Sequence, residues 1–148
     1  MGKEIVYKPK TQLALNAMFS VGNASNFLQD KTHSYVKTTG LTPAQFAIIS
    51  ILGHNGPLKI SEIYKQMLIK SGNRTMILDS IEEKNLIKRV FSKNDRREII
   101  IELTTAGQKF FDESFEDYGH FVEKTFGVLS QPEQKDLLSI LSKLTGES

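Results

Sequence analysis

A change of periodicity past the middle of the chain is the sequence feature that most constrains its fold. Before it, apolar residues recur at the three- and four-residue intervals of amphipathic helices. The stretch "LIKRVFSKNDRREIIIELT", residues 86–104, instead alternates like two strands joined by a turn. The turn carries Lys93, Asp95, Arg96 and Arg97, a concentration of charge that an ordinary hairpin does not need. The pattern therefore predicts a β-hairpin whose tip contacts an anionic partner.

Helical patterns precede this hairpin. A first helix is predicted from about Gln12 to Lys37, with a loose apolar period. A second helix is predicted directly after Thr42, which fits the N-cap position. Pro43 fits the first helical position, and Gln45 lies three residues after the cap, where a capping box places Glu or Gln.

Two shorter helices, over residues 60–67 and about 72–84, lead into the hairpin. On the second of them, Leu78 and Ile81 are predicted to face inward, and Asn85 is predicted to end the helix in the left-handed conformation. A helix pair followed by a hairpin is a winged helix-turn-helix. In that arrangement the second helix enters the DNA major groove, and the hairpin, called the wing, lies beside the phosphate backbone.

Helical periodicity returns after the hairpin. Phe111, Phe115 and Tyr118 share one face of a long predicted helix, and Ser130 with Glu133 forms a capping box for a final helix. That final helix is predicted to bury four leucines: Leu137, Leu138, Leu141 and Leu144. The aromatic stripe fits a ligand pocket, a core contact or a dimer seam, and the sequence leaves these alternatives open.

Charge is unevenly distributed, although the formal net charge is only +2. Residues 59–97 contain ten Lys and Arg against five acids, which gives +5, whereas residues 98–148 contain four Lys against ten acids, which gives −6. This division favours one face that binds a polyanion and another part that is kept away from it. The alternative is a chance clustering of solvated charges.

What the sequence lacks argues against other functions. The absence of cysteine excludes disulfides and thiolate sites, and no apolar run reaches the roughly 20 residues that span a bilayer, so a cytoplasmic protein with no membrane partner is predicted. "SGNRT" lacks the Gly-Lys-Ser/Thr ending of a phosphate loop, and neither an enzyme nor a cofactor is expected. The scattered His33, His54 and His120 give no metal spacing, although a folded dimer can still gather them with acids.

Three segments, in order, resemble the MarR (multiple antibiotic resistance regulator) family of bacterial transcription factors: "LTPAQFAIISIL", "SGNRTMILDSIEEKNLIKR" and "NDRREIIIELTTAG". The resemblance implies a mainly α fold with a β-hairpin wing. It implies an N-terminal dimerisation helix over residues 1–40, a winged helix-turn-helix over 41–105 and C-terminal dimerisation helices over 106–148, in one intertwined domain. It also implies a homodimer that binds a pseudo-palindromic operator in double-stranded DNA, usually as a repressor and often released by a small-molecule effector.

Residues on the predicted recognition helix carry hydroxyl, amide and guanidinium groups suited to phosphates or base edges. The candidates for this contact are Ser71, Asn73, Arg74, Thr75 and Ile77. For Ser71, simple N-capping of the helix is an alternative to DNA contact. Ile77 stands where members of the family often carry Arg or another polar residue, and Arg74 where many carry an apolar one, so the base-reading set departs from the family pattern.

At the wing, the candidates for DNA contact are Lys93, Arg96 and Arg97. The resemblance favours Arg97 as the side chain that enters the minor groove, with Asp95 as a brace within the turn. Several lysines are expected to attract phosphates without individually assigned contacts: Lys59, Lys65, Lys70, Lys88 and Lys93. Two rival functions remain, a winged-helix module that binds an acidic protein and a non-specific nucleic-acid binder.

Overall fold

The computed structural model describes residues 5–67 and 73–147. Within these ranges the chain forms six helices and three short strands. In chain order these are α1 (Pro9–Thr38), α2 (Pro43–Asn55), β1 (Leu58–Lys59), α3 (Ile60–Gln66), α4 (Arg74–Glu83), β2 (Ile87–Phe91), β3 (Ile99–Leu103), α5 (Thr105–Phe126) and α6 (Gln131–Thr145). The predicted fold class, mainly α with a β-hairpin wing, is confirmed.

The chain divides into two compact units, Met1–Pro43 and Ala44–Ser148. The first contains α1, and the second contains nearly all of α2 together with every later element. None of the helices in the described ranges combines the length and the apolar character that a membrane crossing requires.

The sheet has the strand order β1-β3-β2, with both pairs antiparallel. The β2–β3 pair is the hairpin expected from the alternating sequence. The sequence did not predict β1, because two residues are too few to show an alternating pattern. In β1, Leu58 pairs with Ile101 and Lys59 with Ile100. This short strand joins the start of α3 directly to the wing.

The core of the second unit consists of apolar side chains from α2, the α3 segment, α4 and the sheet. Its buried members are Phe46, Ile48, Ile49, Leu52, Ile63, Met67, Leu78, Ile81, Ile87 and Ile101. The inward orientation predicted for Leu78 and Ile81 is confirmed, since they are 1% and 0% exposed. Asn85 has the predicted left-handed conformation, with φ of 57°.

The predicted start of α2 at Pro43 and the predicted capping box of α6 are also confirmed. Helix α2 begins at Pro43, and the Gln45 side chain donates a hydrogen bond to Ser80 Oγ on α4 over 2.8 Å. Ser130 and Glu133 form the capping box of α6, in which the Ser130 backbone N–H donates to Glu133 Oε2 over 2.7 Å. Hydrogen bonds from the Ser130 hydroxyl and then from its backbone lower the pKa of Glu133.

The prediction that α6 buries four leucines is wrong for two of them. Leu138 and Leu144 are 66% and 68% exposed, whereas Leu137 and Leu141 are half-buried. Successive helical residues are rotated by about 100°, so Leu138 faces away from Leu137. Leu144 lies in the last turn of the helix.

Candidate nucleic-acid interface

The start of α4 is fixed by an Asn cap. The Asn73 side-chain oxygen accepts hydrogen bonds from the backbone N–H groups of Thr75 and Met76, over 3.2 and 3.4 Å. Asn73 holds the N-cap position of this helix, and Ser71 lies outside the described residues. The cap satisfies two backbone donors of the first turn through the side-chain oxygen of Asn73, so the amide nitrogen takes no part in it.

Tyr64 of α3 holds the first residue of α4 in two ways. Its hydroxyl donates to the Arg74 carbonyl oxygen over 2.7 Å, and its ring lies under the Arg74 guanidinium, 4.7 Å from centroid to Cζ. Burial raises the pKa of Tyr64, which keeps the hydroxyl protonated as a donor. The sequence placed Tyr64 only on an apolar helix face. Its position between the two helices makes it a support for Arg74.

Arg89 of β2 ties the recognition helix α4 to the wing. Its guanidinium donates to Asp79 Oδ1 over 2.6 Å and forms a second ion pair with Glu82, and its backbone N–H donates to Glu82 over 3.3 Å. Burial acts to lower the pKa of Arg89, but hydrogen bonds and charges from the two carboxylates outweigh this and raise it. Both acids lie on α4, so Arg89 fixes the orientation of that helix relative to the sheet.

The wing tip is a structured turn that exposes its cations. Asp95 Oδ1 accepts the Arg97 backbone N–H over 2.9 Å, and the Glu98 N–H donates to the Asp95 carbonyl over 3.0 Å. The side chains of Lys93, Arg96 and Arg97 are exposed, and in the described part of the chain they form no salt bridge. Asp95 therefore organises the turn, and the three cations around it are exposed.

Below the tip, an open cavity of about 330 Å³ lies between the wing and the start of α3. Its lining residues are Lys59, Ile60, Ser61, Arg97, Glu98 and Ile99. Lys59 Nζ and Glu98 Oε1 form an ion pair over 2.7 Å across this space. A second ion pair on the hairpin, Lys88 with Glu102 over 2.9 Å, lies nearer the ends of the strands.

The end of the hairpin is locked to both flanking helices through Thr104. Its hydroxyl donates to the Asn85 carbonyl over 2.6 Å and accepts the Gly107 N–H over 2.9 Å. A Cβ at Gly107 would lie 1.8 Å from the Leu86 carbonyl oxygen. Only glycine allows α5 to start this close to the backbone that joins α4 and β2.

The geometry matches known regulators. A model of the MarR family matches residues 41–99. The transcriptional repressor MdtR of Bacillus subtilis is 32% identical over 133 residues, which cover 90% of this chain and 82% of MdtR. The chain belongs to the MarR family. Proteins of this family are transcriptional regulators and not enzymes, as the sequence predicted.

Solved structures have a similar fold. The YusO protein of Bacillus subtilis is 29% identical and superposes with a TM-score of 0.65, over 95% of this chain and 100% of that one. The C80S mutant of MarR from E. coli, solved in complex with operator DNA, has the same fold, with a TM-score of 0.72 at 22% identity over 87% of this chain and 96% of that one.

Within the MarR fold, the recognition-helix candidates differ in exposure. Asn73, Arg74 and Thr75 are exposed, whereas Ile77 is half-buried. Met76, which the sequence did not single out, is 66% exposed on the same helix. An apolar residue on the outer face of the first helical turn can be found from helical periodicity alone, and it would have added Met76 to the candidates. Among the predicted phosphate-attracting lysines, Lys65 is exposed on α3, and Lys70 lies outside the described residues.

The aromatic stripe of α5 packs against α2. The rings of Phe111 and Phe115 contact His54 at centroid distances of 5.2 and 4.3 Å, and Tyr118 contacts Phe46 at 5.4 Å. The three α5 aromatics are half-buried. They form a contact between the long C-terminal helix and the first helix of the winged module.

Proposed function

We propose that the protein is a homodimeric regulator that binds a pseudo-palindromic DNA operator sequence-specifically and represses transcription. The observation that carries the proposal is the capped, exposed start of α4 beside a wing with three exposed cations. Arg89 joins these two elements through Asp79 and Glu82. A recognition helix and a wing held in one fixed arrangement can contact the major groove and the flanking backbone together.

Each part of this surface has a role in the mechanism. Arg74 and Thr75, with the Asn73 amide, donate to base edges and phosphates in the major groove. Ser71, Met76 and Ile77 complete the face toward the bases. Lys93, Arg96 and Arg97 neutralise phosphates beside the wing, and Arg97 enters the minor groove.

Exposed apolar side chains support the dimer. On α1 they are Leu13, Met18, Phe19, Val21 and Phe27, and on α6 they are Leu138, Ile140 and Leu144. Several large apolar side chains exposed on one helix are often covered by a partner. Two copies related by a dyad would present their α4 helices to half-sites one helical turn apart, roughly 10 base pairs.

Two relatives support the finer points of the proposal. MdtR is named as a repressor, and the E. coli MarR mutant was solved on operator DNA. Repression follows physically when a dimer occupies DNA that the transcription machinery needs. A small-molecule effector would release the dimer by favouring a different separation of the two α4 helices, to the extent of its differential affinity for the two shapes. The α2–α5 aromatic contact is the place where such a change would reach the winged module.

The test is fluorescence anisotropy on the intergenic DNA upstream of the chain's own gene, with a shuffled duplex as control and a salt series. We expect tight binding to the native duplex, much weaker binding to the shuffled one, and an affinity that falls steeply as the salt concentration rises. Equal affinity for both duplexes would instead indicate a non-specific binder. Absence of binding at low salt would favour the protein-binding alternative.

Matched variants test which residues form the proposed DNA-binding surface. Arg96→Ala and Arg97→Ala should each weaken binding and reduce the salt slope by about one. Lys135→Ala removes the same charge from an exposed position on α6 and should leave binding unchanged. Sedimentation analysis tests the dimer, and a monomeric species that binds as tightly as the dimer would contradict it.

A further inference from the structure

The Lys59–Glu98 ion pair distinguishes Lys59 from the three exposed cations of the wing tip. Lys59 and Glu98 are 45% and 39% exposed in their side chains, and their charged atoms lie 2.7 Å apart. The hydrogen bond with Glu98, followed by the charge of that carboxylate, raises the pKa of Lys59. In the DNA-free protein, therefore, the charge of Lys59 is compensated, whereas the wing-tip cations are not.

Backbone hydrogen bonds hold the two partners in this position. Lys59 belongs to β1 and pairs with Ile100 of β3. The Glu98 N–H donates to the Asp95 carbonyl over 3.0 Å, and its carbonyl accepts the Ser92 N–H over 2.9 Å. The sheet and the turn thus bring a lysine and a glutamate together from positions 39 residues apart in sequence.

The cavity that the pair faces has the chemistry of an anion site. Ser61 contributes a hydroxyl donor and Lys59 an ammonium group, and Arg97 of the basic wing also lines the cavity. The carboxylate among the lining residues is that of Glu98. A phosphodiester placed here would be attracted by the charge of Lys59 and repelled by that of Glu98.

We propose that this cavity receives one backbone phosphate of DNA and that Glu98 competes with that phosphate for Lys59. The inference rests on the proposed DNA-binding function and adds an intramolecular competitor to it. An ion pair between exposed side chains is weak, so a phosphate can displace Glu98, and the displacement lowers DNA affinity without abolishing it. Phosphate contacts carry no sequence information, so Glu98 attenuates specific and non-specific binding alike.

The first experiment compares Glu98→Gln with the wild-type chain by anisotropy on the native and shuffled duplexes. At low salt, Glu98→Gln should bind about three- to tenfold more tightly to both, and this gain should shrink as salt screens the contact. The ratio of the two affinities should stay unchanged. Glu102→Gln makes the same chemical change in the Lys88–Glu102 pair of the same hairpin and should alter affinity much less.

A double-mutant cycle separates competition for Lys59 from a general loss of negative charge. If Glu98 acts through Lys59, the gain from Glu98→Gln disappears when Lys59 is replaced by Met. If the gain persists in the Lys59→Met background, or if Glu98→Gln and Glu102→Gln act equally, the proposal is overturned. Thermal unfolding of each variant verifies that the fold is retained.

The outcomes also separate this inference from the proposed function. A wild-type chain that does not distinguish the native from the shuffled duplex contradicts sequence-specific regulation. A wild-type chain that does distinguish them, combined with a Glu98→Gln variant of unchanged affinity, overturns only the competition for Lys59.

Discussion

Two glycines on the same helix should respond to the same substitution with opposite signs. In α5, a Cβ at Gly107 would lie 1.8 Å from the Leu86 carbonyl oxygen and 2.8 Å from its carbon. A Cβ at Gly119 would meet nothing within 4 Å. Replacing a helical glycine by alanine normally stabilises by about 0.5–1 kcal/mol, because it reduces the freedom of the unfolded chain. Gly119→Ala should show this gain.

Gly107→Ala should instead destabilise the protein. The clashing atom belongs to the backbone, which cannot rotate away as a flexible side chain can, so α5 must shift from the sheet. Overpacking costs typically about 1–3 kcal/mol, and a contact this short lies at or above the upper end. The two variants should therefore differ by about 4 kcal/mol, or roughly 8–16 °C in Tm for a chain of this size.

The assay is urea unfolding followed by circular dichroism, with thermal melts at matched protein concentration. Protein concentration must be fixed because the proposed dimerisation would couple to stability. Equal stability of the two alanine variants would refute the close packing of α5 on the Leu86 backbone. DNA affinity provides a second measurement, since Gly107 packs on the connection between α4 and β2. Gly107→Ala should weaken binding, and Gly119→Ala should not.

Substitutions at three further positions test the supports of the candidate interface, at Arg89 and Tyr64, and the cap of α6, at Glu133. Arg89→Met should cost about 1–2 kcal/mol in urea unfolding, because its side chain is 25% exposed and both carboxylate partners are partly screened. It should weaken DNA binding more than Lys88→Met, which removes the same charge from the adjacent residue of β2, and equal losses would argue against a bracing role. Tyr64→Phe keeps the ring under the guanidinium but loses the hydrogen bond, so DNA affinity should fall less than for Tyr64→Leu, which loses both. Because the pKa of Glu133 is lowered in the fold, its contribution is present above the unfolded pKa and is lost as pH falls through the folded value. Stability of the wild-type chain should thus decline more steeply than that of Glu133→Gln over that acidic range in pH-dependent melts.

Much of the fold could be predicted because its signals are local. The α6 capping box needs only Ser130 and Glu133, three residues apart, and the left-handed Asn85 follows from its place at a helix end. The hairpin follows from alternation on either side of a charged turn. Each of these patterns lies within a few consecutive residues, so the sequence alone is enough to predict the local structure.

The supports of the candidate site lack such local signals. Tyr64 and the Arg74 carbonyl are ten residues apart in sequence, and Lys59 and Glu98 are 39 apart. Their contacts exist only after α3, α4 and the sheet have assembled. Periodicity placed Tyr64 on an apolar helix face, but it does not reveal which cation lies over the face of that ring. Strand β1 was missed because its two residues show no alternation by themselves and its pairing partner lies far along the chain in β3.

The missed contacts explain how the groups proposed to face DNA can act together. Strand β1 connects the start of α3 to the wing, Tyr64 connects α3 to the first residue of α4, and Arg89 connects α4 back to β2. Together these three contacts connect α3, α4 and the sheet to one another around the basic surface. A displacement of α4 must therefore break at least one charged or backbone hydrogen bond, which favours movement of the winged module as one body. In the proposed homodimer, regulation would act on the position of this module relative to a second copy, or on the availability of single cations such as Lys59, rather than on the internal shape of the recognition surface.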